Sequence, residues 1–445
     1  MLALRRVLLR CLVSFVFVAM MVSAAYGQPP SSLFKETVPV EDIAVSRYGQ
    51  YAASVGVNEL SFYDRTHRLW SSSTGSENLY SVAISADGNS VVAGGALHVF
   101  FWKNAISGSL DTPRTWASAI LGVIDKRCLD ISDDGNYVVA GGTGPTVFYW
   151  AGAKGKSGSD IATTWSYELS GSVEAVDISS DGDYVVAGTG GSGVAYWKNA
   201  RTRLGPQAPD WLSTEAQDVT DVAVSRDGNF VAASGMLSGG AVYYWAGATG
   251  LSGDPPTSWN ADFPSPETVE FLSVDMSCDG DSVVAGAEQD NLVYFWSGAR
   301  TLTGKPQTPS WTYATAGDVE EVAINDAGTY MAAATAESLD PPIPSFVYFL
   351  DNAGGMKWST PYQLDDAVTS MSICCDGGTL AVGDPTSSAH LLDTGFSDPC
   401  CGAAPVGGAL TAVDRLSVLT PYLALLGAIA AVTVAVAISR KKPKN

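Results

Sequence analysis

The chain has 445 residues, 46% of them hydrophobic, which is enough to build a large core, and its formal net charge is −21. Setting aside seven basic residues in the two end segments, the rest carries 18 basic against 46 acidic side chains. Such a surface repels nucleic acid and anionic lipid, so we expect no nucleic-acid partner.

The first 27 residues have the pattern of a secretory signal peptide. Arg5, Arg6 and Arg10 form a basic start, Leu12–Ala24 is an apolar stretch, and Ala25–Gly27 is a small-x-small cleavage site. Residues 1–27 are therefore predicted to be removed on export. The alternative is an uncleaved N-terminal anchor.

Residues 28–398 repeat a unit of short apolar runs separated by turn residues. Within Val173–Trp211, Asp181-Gly182 and Thr189–Gly193 separate runs rich in Val and Tyr, which predicts strands and hairpins. Because a four-stranded sheet cannot cover both of its apolar faces alone, repetition of the unit predicts an all-β propeller ectodomain. The Asp-Gly turn, or its equivalent, recurs every 39 to 52 residues and ends at Gly49, Gly88, Gly135, Gly182, Gly228, Gly280, Gly328 and Gly377.

Each unit is predicted to hold four strands, with the first strand innermost. The third strand ends in an aromatic residue in seven units, and a tryptophan marks the fourth. This fixed position indicates packing between blades rather than a sugar-binding array. The predicted structural tryptophans are Trp70, Trp116, Trp165, Trp211, Trp259, Trp311 and Trp358.

The strand count leaves one outer strand missing. There are eight sets of the first three strands but seven tryptophan-marked fourth strands. The segment Ser32–Glu36 precedes the first unit and has no blade of its own. We expect it to complete the last blade, so that strands from both termini close an eight-bladed ring. Seven blades, with one degenerate unit outside the ring, is the alternative.

Five loops between third and fourth strands are long and alike. They share K-N-A, A-G-A or S-G-A openings and Gly/Pro/Ser-rich middles, and we expect them on one rim. These loops are Lys103–Thr115, Ala151–Thr164, Lys198–Asp210, Ala246–Ser258 and Ser297–Ser310.

The C-terminal region predicts a membrane anchor. Residues 399–415 form a juxtamembrane spacer, and Leu416–Ser439 is long and apolar enough to span a bilayer. The basic tail 440–445 should stay in the cytoplasm, which gives a single-pass type I topology in the cell membrane with the propeller on the extracytoplasmic side. This layout of the termini resembles surface-anchored proteins of archaea and some bacteria.

The repeats resemble two propeller families. The Val-Ala-Ile-Ser-x-Asp-Gly core is similar to WD-repeat propellers, and the tryptophan column with short turns such as Leu350–Trp358 resembles the PQQ-like repeat. The chain lacks the Gly-His and Trp-Asp elements of WD repeats. The quinoprotein resemblance implies eight blades and a vicinal disulfide. Cys374 and Cys375 are such a pair, but they lie at an Asp-Gly turn without a calcium-and-base set.

Six cysteines remain after signal removal, an even number for an exported domain. Cys374, Cys375, Cys400 and Cys401 all belong to the last blade and its exit. We predict that disulfides among these four staple the ring closure. A metal site is less favoured because vicinal pairs lack zinc-ligand spacing.

No catalytic, metal-binding or cofactor-binding residue is predicted. His67, His98 and His390 lie in separate units. Asp130, Asp177 and Asp275 begin a D-x-S-x-D-G pattern, but the twelfth position of a calcium loop is glycine, so we expect the first Asp to bond backbone groups near the turn. The turns also differ from the sialidase Asp-box.

The sequence favours a non-catalytic cell-surface scaffold that binds a protein or glycan through one rim, with no cofactor. The expected contact regions are the five long loops or the variable turns on the opposite rim, such as Ala336–Ser345. The alternative is an exported quinone-dependent dehydrogenase or a hydrolase with its site in the central channel. A purely structural envelope component is a third possibility.

Overall fold

The structure is a computed structural model. It describes residues 30–400, apart from residues 110, 111, 121, 237–239, 263–269, 289, 337, 340, 341, 365, 386 and 387. The predicted signal peptide 1–27 lies outside these residues.

Eight antiparallel sheets, each of four main strands, form the eight blades of a propeller. The prediction of eight blades is confirmed, and the seven-bladed alternative is wrong. After strand β1 (Ser31–Glu36), blade 1 consists of β2 (Asp42–Val45), β3 (Tyr51–Gly56), β4 (Glu59–Asp64) and β5 (Arg68–Ser73), and blade 2 of β6 (Leu79–Ile84), β7 (Ser90–Gly95), β8 (His98–Lys103) and β9 (Trp116–Ala119). Blade 3 consists of β10 (Leu129–Ile131), β11 (Tyr137–Ala140), β12 (Thr146–Ala151) and β13 (Trp165–Glu168). Blade 4 consists of β14 (Val173–Ile178), β15 (Val185–Thr189), β16 (Gly193–Trp197) and, after the short β17 (Gly205–Pro206), β18 (Trp211–Ser213).

The second half of the ring repeats this order, with one extra hairpin. Blade 5 consists of β19 (Val219–Val224), β20 (Phe230–Gly235), β21 (Ala241–Ala246) and β22 (Trp259–Asp262), and blade 6 of β23 (Glu270–Met276), β24 (Ser282–Glu288), β25 (Leu292–Ser297) and β26 (Trp311–Ala314). Blade 7 consists of β27 (Val319–Ile324), β28 (Tyr330–Thr335), β31 (Phe346–Asp351) and β32 (Tyr362–Gln363), with the hairpin β29 (Ser338–Leu339) and β30 (Pro342–Ile343) between β28 and β31. Blade 8 contains β33 (Ser370–Ile373), β34 (Thr379–Gly383) and β35 (Ala389–Asp393). Short 3-10 helices follow the third strand in blades 2 to 6, at Ala105–Ser107, Ala153–Gly155, Ala200–Thr202, Ala248–Gly250 and Ala299–Thr301.

The N-terminal strand completes the last blade. Blade 8 has the strand order β1-β35-β34-β33, and Phe34 of β1 lies opposite Leu391 of β35. This agrees with the closure expected for Ser32–Glu36. Because the last sheet contains strands from opposite ends of the domain, the ring cannot open without breaking a β-ladder.

The hydrophobic core lies between neighbouring blades. One cluster, for example, joins Tyr196 and Trp211 of blade 4 to Val222 and Trp245 of blade 5. A glycine in the second strand lets the next blade approach: a Cβ at Gly188 would lie 2.3 Å from a methyl carbon of Val219. The blades therefore bury their faces against each other, as the repeat predicts.

The strand order gives the ring two different faces. The turn face carries the Asp-Gly turns and the connections between third and fourth strands. The opposite face carries the connections between second and third strands and those that lead from one blade to the next. We call this second face the acidic face, because its described connections carry nine acidic and two basic residues.

The chain divides into two compact units, Met1–Cys401 and Gly402–Asn445, and the second lies outside the described residues. Over the described ranges, no helix has both the length and the apolar character needed to cross a bilayer. The segment 416–439, for which a membrane helix is predicted, falls in the second unit.

Candidate functional site

The first aspartates of the D-x-S-x-D-G pattern line the central channel. Asp130 accepts the backbone N–H of Ile178 at 3.2 Å, Asp177 accepts that of Val224 at 2.6 Å, and Asp275 accepts that of Ile324 at 2.9 Å. Each acceptor thus bonds the inner strand of the next blade. Asp177 and Asp275 also accept the N–H groups of Ile178 and Met276, the next residues in their own strands, at 2.7 Å each. The expected backbone bonds near the turn are thus present, and the bonds to the next blade come in addition to them. An inner strand has an unpaired edge facing the channel, and these carboxyl groups satisfy it.

A second set of side chains, two positions earlier in the inner strands, also accepts backbone N–H groups of the next blade. Asp42 accepts the N–H of Val82 at 2.7 Å, and Asp221 accepts that of Val274 at 3.0 Å. In blade 6 a serine replaces the acid, because the Oγ of Ser273 accepts the N–H of Val322 at 3.3 Å. The channel acids are thus part of the contact between blades.

Burial raises the pKa of several of these carboxyl groups above the usual range for aspartate. It raises the pKa of Asp275 to about 8 and that of Asp221 to about 6. Asp130 and Asp177 hydrogen-bond to each other, and burial raises the pKa of both, to about 6 for Asp130. A shared proton between two close carboxyl groups accounts for this arrangement.

Arg127 crosses the channel at its mouth on the acidic face. It precedes the inner strand of blade 3, and its Nη2 donates to Oε2 of Glu321 in blade 7 at 2.8 Å. Lys126 lies 2.7 Å from the same carboxylate, and Arg127 lies 3.6 Å from Asp221 of blade 5. Burial alone would raise the pKa of Glu321, but these two cations outweigh it and lower the pKa.

Two cavities of about 260 and 280 Å³ lie in the channel beneath Arg127. Their shared lining includes Asp130, Glu321, Met371 and Ser372. The three histidines lie away from it: His67 pairs with Asp64, His98 with Glu77, and His390 is buried beside Asp384. The described lining thus offers carboxyl and hydroxyl groups already engaged in joining blades.

The turn face closes the other end of the channel with a ring of backbone hydrogen bonds. The ring is formed by the residue between Ser and Asp in each S-x-D-G turn or its equivalent, and seven consecutive links join the blades. In each link the backbone N–H of the first residue donates to the carbonyl of the second. The links are Ala86 to Asp133, Asp133 to Ser180, Ser180 to Arg226, Arg226 to Cys278, Cys278 to Asp326, Asp326 to Cys375, and Cys375 to Arg47.

Charged side chains of this ring pair across the axis. Arg47 bonds both Asp133 at 3.4 Å and Asp326, and Arg226 bonds Asp133 as well. Burial raises the pKa of Asp133 to about 6, although the charge of Arg47 opposes the shift. The ion pairs therefore hold blades 1, 3, 5 and 7 together at this end.

A disulfide joins the same ring to the end of the domain. Cys375 is bonded to Cys400, and Cys278 is also disulfide-bonded. Cys374 is a buried free thiol whose pKa is raised by burial to about 12. Cys401, which is part of the predicted disulfide set, lies outside the described residues. Through this bond Cys400 lies at the turn-face end of the channel.

The column tryptophans lie on the outer strands and donate their indole N–H to the next blade. The acceptor is a backbone carbonyl in the connection after that blade's third strand, at 2.7 to 3.1 Å. The donor and acceptor pairs are Trp70 with Ala105, Trp116 with Ala153, Trp165 with Ala200, Trp211 with Ala248, Trp259 with Ala299, Trp311 with Asn352, and Trp358 with Thr394.

Four of the long loops pair with neighbouring blades. Each folds back along the outer strand of the preceding blade and pairs with it in parallel through a glycine. The pairs are Trp116 with Gly158, Trp165 with Gly205, Trp211 with Gly253, and Trp259 with Gly304. These loops therefore cover exposed sheet edges, a role that their sequence did not reveal.

The acidic face carries an excess of negative charge. Basic side chains on the turn face lie beside acidic ones, as Arg201 does with Asp181 and Asp183. On the acidic face the only two basic residues in the described connections, Lys126 and Arg127, are bonded to Glu321 in the channel mouth. The nine acidic residues of these connections are Glu41, Glu77, Asp125, Glu215, Asp218, Asp290, Asp318, Asp366 and Asp384. Three of them contribute less to the surface charge, because Glu77 is bonded to His98, Glu215 is bonded to Lys305 from a turn-face loop, and Asp384 is buried beside His390.

Exposed apolar side chains accompany these charges. Val57 and Leu97 occupy the equivalent turns of blades 1 and 2 and are 58% and 61% exposed. Met236 in blade 5 is also exposed. The acidic face thus combines negative charge with apolar contact area, and only the folded ring brings these residues together.

Comparison with solved structures places the chain among WD40-type β-propellers by fold. Many solved chains are similar, including the C-terminal WD40 domain of Sif2, with a TM-score of 0.62 and 14% sequence identity over 83% of this chain and 99% of that one. At this identity the likeness establishes the fold alone. No protein-family model and no curated protein sequence matches the chain.

Proposed function

We propose that this chain is a non-catalytic propeller, anchored in the cell membrane by its C-terminal segment, that binds a basic protein through its acidic face. The observation that carries the proposal is the charge of that face, whose described connections hold nine acidic residues against two basic ones, both of them bonded to Glu321. Propellers of this fold class are typically interaction scaffolds, and recognition residues are commonly found on loops over a rigid framework.

The extracytoplasmic location is supported by cysteine chemistry. The disulfide between Cys375 and Cys400, and the bonded state of Cys278, require an oxidising compartment. This agrees with the predicted signal peptide 1–27 and with the resemblance of the termini to surface-anchored proteins of archaea and some bacteria.

The choice of face follows from how each rim is used. Four of the five long loops are paired with preceding blades, and the turn face also carries the attachment point of the C-terminal segment at Cys400. The acidic face lies at the opposite end of the channel from that point. Its negative charge favours a partner rich in Lys and Arg over a neutral glycan.

Charge reversal tests the proposal. The full-length chain, and a variant carrying Glu41→Lys, Asp218→Lys and Asp366→Lys, would be used to capture partners from an envelope extract for identification by mass spectrometry. A matched control carries three Asp→Lys changes on the turn face, at Asp87, Asp227 and Asp279.

We expect the acidic-face variant to lose a basic protein that the wild type and the control retain, with a loss of affinity that weakens as salt is added. Retention by the acidic-face variant together with loss by the control would refute the assignment. Capture of a neutral glycan that survives all six substitutions would refute the basic-protein partner.

A further inference from the structure

The outer strand of blade 6 lacks the parallel cover found on blades 2 to 5. Strand β26 (Trp311–Ala314) ends its sheet and, within the described part of the chain, pairs only with β25. The outer strands of blades 2 to 5 each carry a parallel segment from the next blade. Blade 7 supplies no such segment, because only a short turn separates Asp351 from Trp358.

Exposure of the strand reflects this difference. Eleven of the twelve tryptophans are less than 2% exposed, whereas Trp311 is only half-buried. Tyr313, also half-buried, lies beside it, and Thr312 is exposed. Trp311 and Tyr313 pack on the same core cluster as the half-buried Phe346 and Met356 of blade 7, so partly exposed apolar side chains accompany this strand.

The covered edges show what kind of segment pairs with such an outer strand. In blade 2, the N–H of Ala117 donates to the carbonyl of Gly158 at 3.0 Å, and the carbonyl of Thr115 accepts the N–H of Gly158 at 3.1 Å. The N–H of Ile161 then donates to Ala117 at 2.9 Å. On blade 6, Ser310 and Thr312 flank Trp311 in the sequence as Thr115 and Ala117 flank Trp116, so they are the corresponding positions.

A glycine stands opposite the tryptophan in all four covered edges. Gly158, Gly205, Gly253 and Gly304 have φ values of 107°, 69°, 72° and 99°, the left-handed region that disfavours other residues. At Gly158, Gly205 and Gly253 an added Cβ would meet nothing within 4 Å. The requirement is therefore one of backbone conformation and not of space.

We propose that β26 is a docking edge for an extended segment of a different polypeptide, which pairs in parallel and places a glycine opposite Trp311. The edge of β26 is the next position in the series of loop-covered edges on blades 2 to 5, so the bound segment continues an interface that the fold already forms four times. Backbone hydrogen bonds supply the affinity, and Trp311 and Tyr313 supply apolar contact. This site is separate from the acidic face.

The probe is a peptide with the sequence of residues 155–162, which includes Gly158. Acrylamide quenching of tryptophan emission from the full-length chain reports binding, because Trp311 is the tryptophan that solvent reaches. We expect saturable protection of that emission. A peptide with D-Ala in place of Gly158 should bind like the parent, and the L-Ala peptide should bind about tenfold more weakly or worse.

Variants of the chain locate the site. Thr312→Pro removes an outward N–H from an edge strand, where proline is tolerated, and should abolish binding, whereas Thr312→Val should retain it. The comparison of the Gly, D-Ala and L-Ala peptides uses only the wild-type chain, so it still tests the proposal if the Thr312→Pro variant fails to fold.

Absence of saturable protection up to about 1 mM peptide overturns the proposal. So does equal binding of the D-Ala and L-Ala peptides, or binding to a folded Thr312→Pro chain with wild-type affinity. Self-association of the wild type that Thr312→Pro abolishes, measured by sedimentation velocity, would identify the occupant as a second copy of this chain and overturn the assignment to a different polypeptide.

Discussion

Replacing Trp165 by Phe tests whether the tryptophan column stabilises the contact between blades. Trp165 is 1% exposed, its indole N–H donates to the carbonyl of Ala200 at 2.9 Å, and its ring stacks on Tyr149 at 4.9 Å. Trp311→Phe is the matched comparison, because Trp311 makes the same hydrogen bond at 2.9 Å to Asn352 but is half-buried.

The magnitude follows from what each substitution removes. Trp165→Phe removes the indole N–H from the Ala200 carbonyl, which still accepts the N–H of Arg203 at 3.3 Å, so the lost hydrogen bond costs about 0.5–1.5 kcal/mol. It also leaves a small cavity, for which we add about 1 kcal/mol. The free energy of unfolding should therefore fall by about 1.5–2.5 kcal/mol. At Trp311 water can replace the lost donor, so the fall should be about 1 kcal/mol.

Differential scanning calorimetry of the full-length variants, with circular dichroism to verify the fold, measures the comparison. We expect the fall in Tm for Trp165→Phe to exceed that for Trp311→Phe. Equal falls would mean that the indole N–H of the column contributes nothing beyond ring packing, and the reasoning would be wrong.

Three further predictions concern the channel, the closure and the loops. The raised pKa values of Asp130, Asp221 and Asp275 mean that the folded chain binds more protons than the unfolded chain between about pH 4 and 8, so its stability should fall as pH rises through that range; Asp275→Asn should flatten this slope in calorimetric scans, and the exposed control Asp160→Asn should not. Cys400→Ser opens a loop of 25 residues and should cost about 3 kcal/mol, and intact mass with and without reductant would detect the bond directly; a wild-type mass unchanged by reductant would contradict its presence. Shortening Lys198–Asp210 to a tight turn uncovers the edge of β13 and should cause aggregation measurable by light scattering, whereas persistence of a monomer as stable as the wild type would contradict the covering role.

The sequence predicted the ring because its signals are local and periodic. Strand runs, Asp-Gly turns and the tryptophan column repeat at nearly constant spacing, and the unpaired segment Ser32–Glu36 matched the one missing outer strand. The candidate site was far less accessible to prediction. The five long loops looked like free recognition surface, yet four of them pair with an outer strand of the preceding blade, a contact between different repeats that no local pattern reveals.

Arg127 shows the same limit at the channel. Its partner Glu321 lies 194 residues away along the chain, on the far side of the axis, and nothing in the local sequence of either residue indicates the other. The aspartates of D-x-S-x-D-G were visible as a repeated pattern, but their acceptor role depends on where the next inner strand lies.

The sequence by itself determined the number of blades, the order of strands within each blade and the way the two ends of the domain meet, because each follows from hydrophobic periodicity and strand counting. The tertiary structure alone decided which edges are covered, which carboxyl groups join blades and which face gathers negative charge. Those features depend on residues from different repeats, and only closure of the ring brings these residues within contact distance.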